Sequence, residues 1–267
     1  MTIDRYSFAK DLVRKAGTLL LEGYENAGEV HKKGEIDLVT EYDLRSERQV
    51  VDEIQQVFPE DSIIAEEGGE HQQGSGYWVL DPLDGTVNFA HGVPIFCVSL
   101  AYLENGCPII GAIYDPLRDE LFHTQLGQGA WLGDQRLTVS KATTLNQSLL
   151  VTGFAYDIRT RSDNNLDHFT NLSLRTQGVR RLGSAALDLA YVAAGHFDGY
   201  WEMISFPWDI AAGTLMVTEA GGAVSQADGN QLNVKRATSV VATNGKIHAE
   251  MLATLANGVL PPTEQGN

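Results

Sequence analysis

Basic residues are scarce in this sequence: 19 lysines and arginines stand against 35 aspartates and glutamates, a formal charge of −16. Such a surface repels DNA, RNA and anionic membranes, which excludes general nucleic-acid or membrane binding. It also repels phosphorylated ligands, so any phosphate site has to be locally positive. Cysteine is scarcer still. Cys97 and Cys107 form no C-x-x-C pair, which predicts free thiols and a reducing, cytoplasmic setting. The 7 histidines include no H-x-x-x-H pair, so no zinc centre is expected. No signal peptide opens the chain, and the longest near-apolar run, residues 93–103, is too short to span a bilayer. Internal repeats and low-complexity linkers are absent.

Several phosphate and nucleophile motifs are missing too. There is no G-x-x-x-x-G-K-[ST] loop, no G-x-S-x-G elbow, and no cysteine followed six residues later by arginine. Gly127-Gln128-Gly129 lacks the third glycine of a dinucleotide fingerprint, because Leu132 stands there. An aspartyl-nucleophile pattern D-x-D-G-T would need aspartate at position 82, which is proline.

With 267 residues, 43% of them hydrophobic, the chain can bury a large core. Helical periodicity predicts helices over 5–25, carrying Phe8, Leu12, Ala16 and Leu20 on one face, and over 41–58, stopped by Pro59. Strands are predicted at 62–65 and 77–80. A hairpin over 95–103 and 108–114 turns at Asn105-Gly106, and a third strand at 120–124 completes an antiparallel meander. Beyond residue 145 the reading gives strands at 149–154, 197–203 and 240–243. Helices follow at 163–176, 184–194, 208–220 (ended by Gly221-Gly222) and 248–255, with a frayed tail over 258–267. Two α+β halves, 1–144 and 145–267, are expected to pack as one unit with a cleft between them.

Four segments place carboxylates beside turns or helix starts: 37–43, 64–68, 81–86 and 208–213. Each also fits a plain structural role. Thr40 and Asp43 suit a capping box, Glu66 and Glu67 a solvated loop, Asp84-Gly85 a turn, and Asp209 the positive end of a helix. Together they point further. Asp81 and Asp84 sit three apart around Pro82, just after the strand of Trp78–Leu80 is expected to end. Two carboxylates so close repel unless a proton or a cation intervenes. Oxygen donors without histidine or cysteine suit a hard cation: Mg²⁺, with Mn²⁺ or Ca²⁺ as alternatives. Gly85-Thr86 then opens a helix whose N–H groups suit a phosphate.

Asp81-Pro82-Leu83-Asp84-Gly85-Thr86 and Trp208-Asp209-Ile210-Ala211-Ala212-Gly213, in that order and at that separation, resemble the two signatures of the inositol monophosphatase family in its bacterial branch. Glu66-Glu67, Asp37-Leu38-Val39-Thr40 with Asp43, and the segment 180–190 fit the same family. The resemblance implies an α+β fold, a layered α-β-α-β-α sandwich of the inositol monophosphatase and fructose-1,6-bisphosphatase type. It also implies a Mg²⁺-dependent, lithium-sensitive phosphomonoesterase, usually a homodimer. By motif position, Glu66, Asp81, the Leu83 carbonyl, Asp84 and Asp209 become metal ligands. Gly85 and Thr86 become phosphate ligands, Asp43 the hydrogen-bond partner of Thr86, and Glu66 and Thr86 the groups that orient an attacking water. Asp84, Ser184, Ala185 and Glu202 fall at polyol-binding positions. The implied substrates are inositol 1-phosphate or similar sugar or polyol monophosphates; fructose 1,6-bisphosphate and histidinol phosphate are the alternatives. Arg180 or Arg181 could attract a second phosphate, or could be surface or subunit-contact arginines. A regulatory or binding protein on the same fold is the alternative of another class.

Overall fold

The structure, a computed structural model, describes residues 4–26, 30–32, 38–71 and 76–257. Helix α1 (Arg5–Asn26) leads into an antiparallel ribbon of β1 (Val30–Lys32) and β2 (Leu38–Thr40), then α2 (Glu41–Val57). The capping box read from the sequence starts α2: Thr40 Oγ1 accepts from Asp43 N, and Asp43 Oδ2 accepts from Thr40 N at 2.7 Å. Strands β3 (Ser62–Ala65), β4 (Gly69–His71) and β5 (Gly76–Asp84) follow, then the short α3 (Thr86–Ala90) and β6 (Cys97–Glu104). Next come β7 (Cys107–Asp115), β8 (Glu120–Gln125), β9 (Ala130–Leu132) and β10 (Gln135–Arg136). The second half of the chain runs β11 (Leu149–Thr152), α4 (Leu166–Ser173), β12 (Gly178–Arg180) and α5 (Ala185–Ala193). It closes with β13 (Gly199–Ser205), α6 (Pro207–Glu219), β14 (Ala223–Ser225), β15 (Thr238–Thr243) and α7 (His248–Ala256).

Five layers result, in the α-β-α-β-α order that the family resemblance implies. α1 and α2 cover one face of an eight-stranded sheet ordered β10-β9-β8-β7-β6-β5-β3-β4. α5 and α6 lie between that sheet and a five-stranded one ordered β12-β11-β13-β15-β14. α4 and α7 cover the far side. Strand alternation divides the core accordingly. Trp78 and Leu80 face Leu12, Ala16 and Ile54, while Val79 faces the middle layer. In the smaller sheet Val151, Tyr200 and Ala242 face α5 and α6, whereas Leu150, Trp201 and Val241 face Leu172, Met251 and Leu255.

The meander over β6, β7 and β8 pairs antiparallel as expected, and Asn105 (φ 51°) and Gly106 (φ 80°) form its mirrored turn. Both cysteines are free, Cys97 buried and Cys107 exposed. Among the described residues no helix is long and apolar enough to cross a membrane.

Three differences from the sequence reading have physical causes. The strand expected to stop at Leu80 continues to Asp84. Asp81 pairs with Ser99 and Asp84 with Cys97, with a register shift between them that absorbs Pro82, which has no N–H to offer. The acid pair therefore lies on a bulged strand, not beyond one. The helix expected over 163–176 shrinks to α4, and its expected end is a turn over 174–177 that leads into β12, which pairs parallel with β11. β4, β9, β10, β12 and β14 have two or three residues each, too few to show a period. Asp37 and the tail over 258–267 lie outside the described residues.

The middle layer depends on small residues. A Cβ placed on Gly213 of α6 would stand 2.5 Å from Leu189 Cβ on α5. Gly213→Val is expected to lower unfolding free energy by about 1–3 kcal/mol in urea titrations, the usual cost of overpacking; an unchanged midpoint and slope would show that the two helices have room to separate.

Candidate active site

A cleft of about 330 Å³ opens where the two sheets meet the middle helices, large enough for a small ligand. The larger sheet brings Glu66, just after β3, together with Asp81, Leu83 and Asp84 on the bulged part of β5. Gly85 and Thr86 follow at the start of α3, Gly85 with the positive φ of 94° that favours glycine. The other half of the chain supplies Ser184 and Ala185 at the start of α5, Glu202 on β13, and Asp209 in the first turn of α6. These ten positions singled out in the sequence line one cleft. Asp43 does not reach it; fully buried, it stands behind Thr86 and accepts from Thr86 Oγ1 at 3.0 Å.

Each acid is held by donors its local fold creates. The bulge turns Leu83 N onto Asp81 Oδ1 at 3.0 Å. Asp84 Oδ2 accepts from Ser184 Oγ at 2.6 Å and from Ala186 N at 2.7 Å, so the start of α5 closes on it across the cleft. Asp209 Oδ2 accepts from Phe206 N at 2.6 Å, an N-terminal cap on α6. α2 braces the opposite wall: Ser46 Oγ donates to the Pro82 carbonyl at 2.9 Å, and Glu67 N donates to Glu47 Oε2 at 2.9 Å. Thr86 Oγ1 has one proton and two acceptors in reach, Asp43 Oδ1 and the Leu83 carbonyl at 2.9 Å.

Burial and like charge set the electrostatics. Burial lifts Asp81 well above the usual carboxylate range, and the charges of Glu66, Asp84 and Asp209 push it further. Asp209 is also raised well above its usual value by burial, against the pull of Phe206 N–H and with added repulsion from Glu66 and Asp84. Asp84 is raised by burial, while the donors from Ser184 and Ala186 oppose the shift. Burial brings Glu202 up to about 7 and Asp43 up to about 6. Among the described residues no three histidine, cysteine, aspartate or glutamate side chains already stand as a closed metal cage. Asp81, Asp84 and Asp209 instead hold protein donors. Their chemistry remains that of a hard-cation donor set, all oxygen and mutually repelling.

The sequence profile of the inositol monophosphatase family matches residues 4–260. The chain belongs to the inositol monophosphatase family. It is 44% identical to an inositol-1-monophosphatase of Synechocystis sp. over 93% of this chain and 87% of that protein. It is 42% identical to the Nus factor SuhB of Salmonella typhimurium over 91% of this chain and 92% of that protein. The solved structure of an inositol monophosphatase from Anabaena (Nostoc) sp. PCC 7120 superposes with a TM-score of 0.85 at 42% identity, covering 98% of this chain and all of that one. The layered α+β fold is thus the family's, and the protein is a phosphatase of the inositol monophosphatase family.

The sequence reading of this phosphatase passed over part of the cleft wall. Phe154, Tyr156, Phe206 and Trp208 form an aromatic lip, with Phe206 and Trp208 stacked at 5.1 Å. Their signal was weak, because a lone aromatic in a loop, or at a helix start as Trp208 is, reads as packing. Arg181, weighed as a surface arginine or a phosphate ligand, is exposed and lines the cleft. Ser184 has two duties, capping α5 through Leu187 N and donating to Asp84. Ser184→Ala is expected to cost about 1–2 kcal/mol, the scale of a lost cap with a buried acceptor left short of a donor. Chemical denaturation measures this; a change under about 0.5 kcal/mol, within ordinary surface scatter, would discount the pairing with Asp84.

Proposed function

We propose that this protein is a divalent-cation-dependent phosphomonoesterase that hydrolyses inositol 1-phosphate or a similar sugar or polyol monophosphate. The observation that carries this reading is the gathering of Glu66, Asp81, Asp84 and Asp209 on one cleft beside the Gly85–Thr86 turn. A cation among those acids relieves the repulsion that otherwise calls for protons. Glu66, Asp81, Asp84, Asp209 and the Leu83 carbonyl would hold it. The all-oxygen set favours Mg²⁺, with Mn²⁺ as the alternative. When bound, such a cation supplies Lewis acidity, lowering the proton affinity of water and neutralising charge on the phosphate and the leaving oxygen.

The chain's own groups position the reaction. The N–H groups of Gly85 and Thr86 would take phosphate oxygens. Donating its hydrogen bond to ionised Asp43, Thr86 Oγ1 keeps lone pairs to orient an attacking water, which Glu66 would help to hold. Water attacks phosphorus, the ester P–O bond breaks, and the alcohol leaves beside inorganic phosphate. Asp84, Ser184, Ala185 and Glu202 would line the alcohol, and their negative charge disfavours a second phosphate there. This is why fructose 1,6-bisphosphate ranks below inositol 1-phosphate; histidinol phosphate, itself a monophosphate, stays the alternative that the substrate panel has to separate. The same reading takes residues 1–144 and 145–267 as two halves of one unit, and carries lithium inhibition, a homodimer and a cytoplasmic setting.

A second reading is favoured by the name Nus factor SuhB borne by a relative of 42% identity: a regulatory binding role on the same fold. The net charge of −16 argues against direct RNA contact in that role. Phosphate release from a substrate panel, with Mg²⁺ and after exhaustive chelation, separates the readings. Selective, Mg²⁺-dependent release from inositol 1-phosphate supports the phosphatase reading. Faster release from fructose 1,6-bisphosphate would overturn the substrate assignment, and no release from any substrate would favour the binding role.

Two variants test the roles. Asp84→Asn is expected to lower turnover by roughly 100-fold or more, the scale of losing one electrostatic stabiliser of the transition state; full activity in that variant after chelation would refute the cation site. Asp43→Asn reverses the polarity facing Thr86, so turnover is expected to fall about 100-fold with KM little changed. In the wild type, Asp43 at about 6 ionises as pH rises, so turnover should fall as pH drops below about 6 and level off above it. A rate that stays flat to pH 5 would remove Asp43 from the reaction.

A further inference from the structure

Asp188 lies one turn into α5, four residues after the Ser184 cap. The residue is 1% exposed, yet it forms part of the cleft wall. Its Oδ1 finds no hydrogen-bond partner among the described residues. The other buried acids of the cleft differ: Asp81, Asp84 and Glu202 each accept from a protein donor. A buried polar atom without a partner is costly, and native folds rarely leave one so unless something else satisfies it.

Its surroundings narrow what that something is. Asp188 shares its wall with Ser184 and Ala185 on α5 and with Glu202 on β13, whereas Gly85 and Thr86 come from the larger sheet. Burial, and after it the charges of Asp84 and Glu202, favour the neutral form of Asp188; Arg181 is the positive counterweight. Those same two acids repel a phosphate dianion from this wall. A neutral carboxyl offers one donor and spare acceptor capacity, the complement of an alcohol hydroxyl. We propose that Asp188 is a specificity-determining residue whose carboxyl hydrogen-bonds a hydroxyl on the alcohol part of the substrate. This rests on the phosphomonoesterase reading above and adds to it a contact that selects hydroxyl-bearing leaving groups.

Steady-state kinetics with Mg²⁺ on two monophosphates test it: inositol 1-phosphate, with hydroxyls flanking the ester, and phenyl phosphate, with none. Asp188→Ala is expected to raise KM for inositol 1-phosphate about tenfold or more, the scale of one lost hydrogen bond to a buried group, and to leave phenyl phosphate within about twofold. Asp188→Asn keeps a donor and an acceptor and is expected to restore inositol 1-phosphate to within about threefold of wild type. Melting gives a readout of opposite sign to a structural role. Folding raises the proton affinity of Asp188, so its contribution to stability falls as pH rises above the usual carboxylate range. Asp188→Asn should therefore melt at or above the wild-type temperature at pH 8.

Equal losses on both substrates, no loss on either, or an asparagine variant no better than alanine would overturn the assignment. An asparagine variant that fails to fold, or melts well below wild type, would show the acid to be structural and would also overturn it. Wild-type protein that turns over neither substrate would overturn the phosphatase reading itself, a result distinct from wild-type turnover with no selective effect at position 188.

Discussion

Carboxylates buried beside one another are the constraint around which this molecule is organised. Asp81, Asp84 and Asp209 come from a strand and a helix on two sides of one cleft, and each would be better solvated in water. The fold meets part of that cost locally. A strand bulge turns an amide onto Asp81, the start of α5 closes on Asp84, and the start of α6 is capped by Asp209. Backbone N–H groups that a helix end cannot use internally are the donors in two of these cases. What remains is the cost of burial with mutual repulsion added to it, and both push Asp81 and Asp209 upward. The middle layer of small residues lets α5 and α6 come close enough to present those helix starts side by side, as the contact of Gly213 with Leu189 illustrates.

Much of this was legible in the sequence, and the reasons are physical. Long periodic segments announced α1 and α2. Asn105-Gly106 announced its hairpin, and Thr40 with Asp43 announced the start of α2, because each of these features is set by a few neighbouring residues. Glu66, Asp81, Asp84 and Asp209 were chosen for spacing and resemblance, and all reach the cleft. The continuation of β5 through Pro82 was not legible, because local rules place proline at strand ends, while pairing with β6 is a tertiary effect. Nor were the two- and three-residue strands, whose existence depends on neighbours remote in sequence. Asp188 falls within the 180–190 segment, and its sequence position alone suggests no role for it. On a helix face an isolated acid reads as a solvated residue, and only the packing of α5 between two sheets reveals it as buried.

The Asp43–Thr86 pair shows how one acid joins two levels of the structure. Asp43 Oδ2 belongs to the cap of α2 and would be needed whatever the protein did. Asp43 Oδ1 faces Thr86 at the cleft and accepts from its buried hydroxyl. Because one carboxylate serves both, the orientation of Thr86 Oγ1 is tied to the register of α2 on the larger sheet. Ser46 and Glu47, one turn further along α2, hold the Pro82 carbonyl and the backbone of Glu67 in the same frame. Position in the cleft is therefore inherited from helix packing more than from loop conformation, which keeps the geometry tight.

Charge then links the two kinds of ligand proposed for the cleft. With a formal charge of −16, and acids lining the cleft itself, a phosphate dianion approaching the bare site meets repulsion at long and short range. A divalent cation approaching the same site meets attraction, but once bound it leaves unshared positive charge in a poorly solvated wall. Each ligand therefore lowers the cost of the other. Linkage requires the effect to be equal in both directions: whatever factor the cation adds to phosphate affinity, the phosphate adds to cation affinity. The acidity that makes the chain an unpromising phosphate binder when read as composition is thus, on the proposed reading, the source of its dependence on a cation.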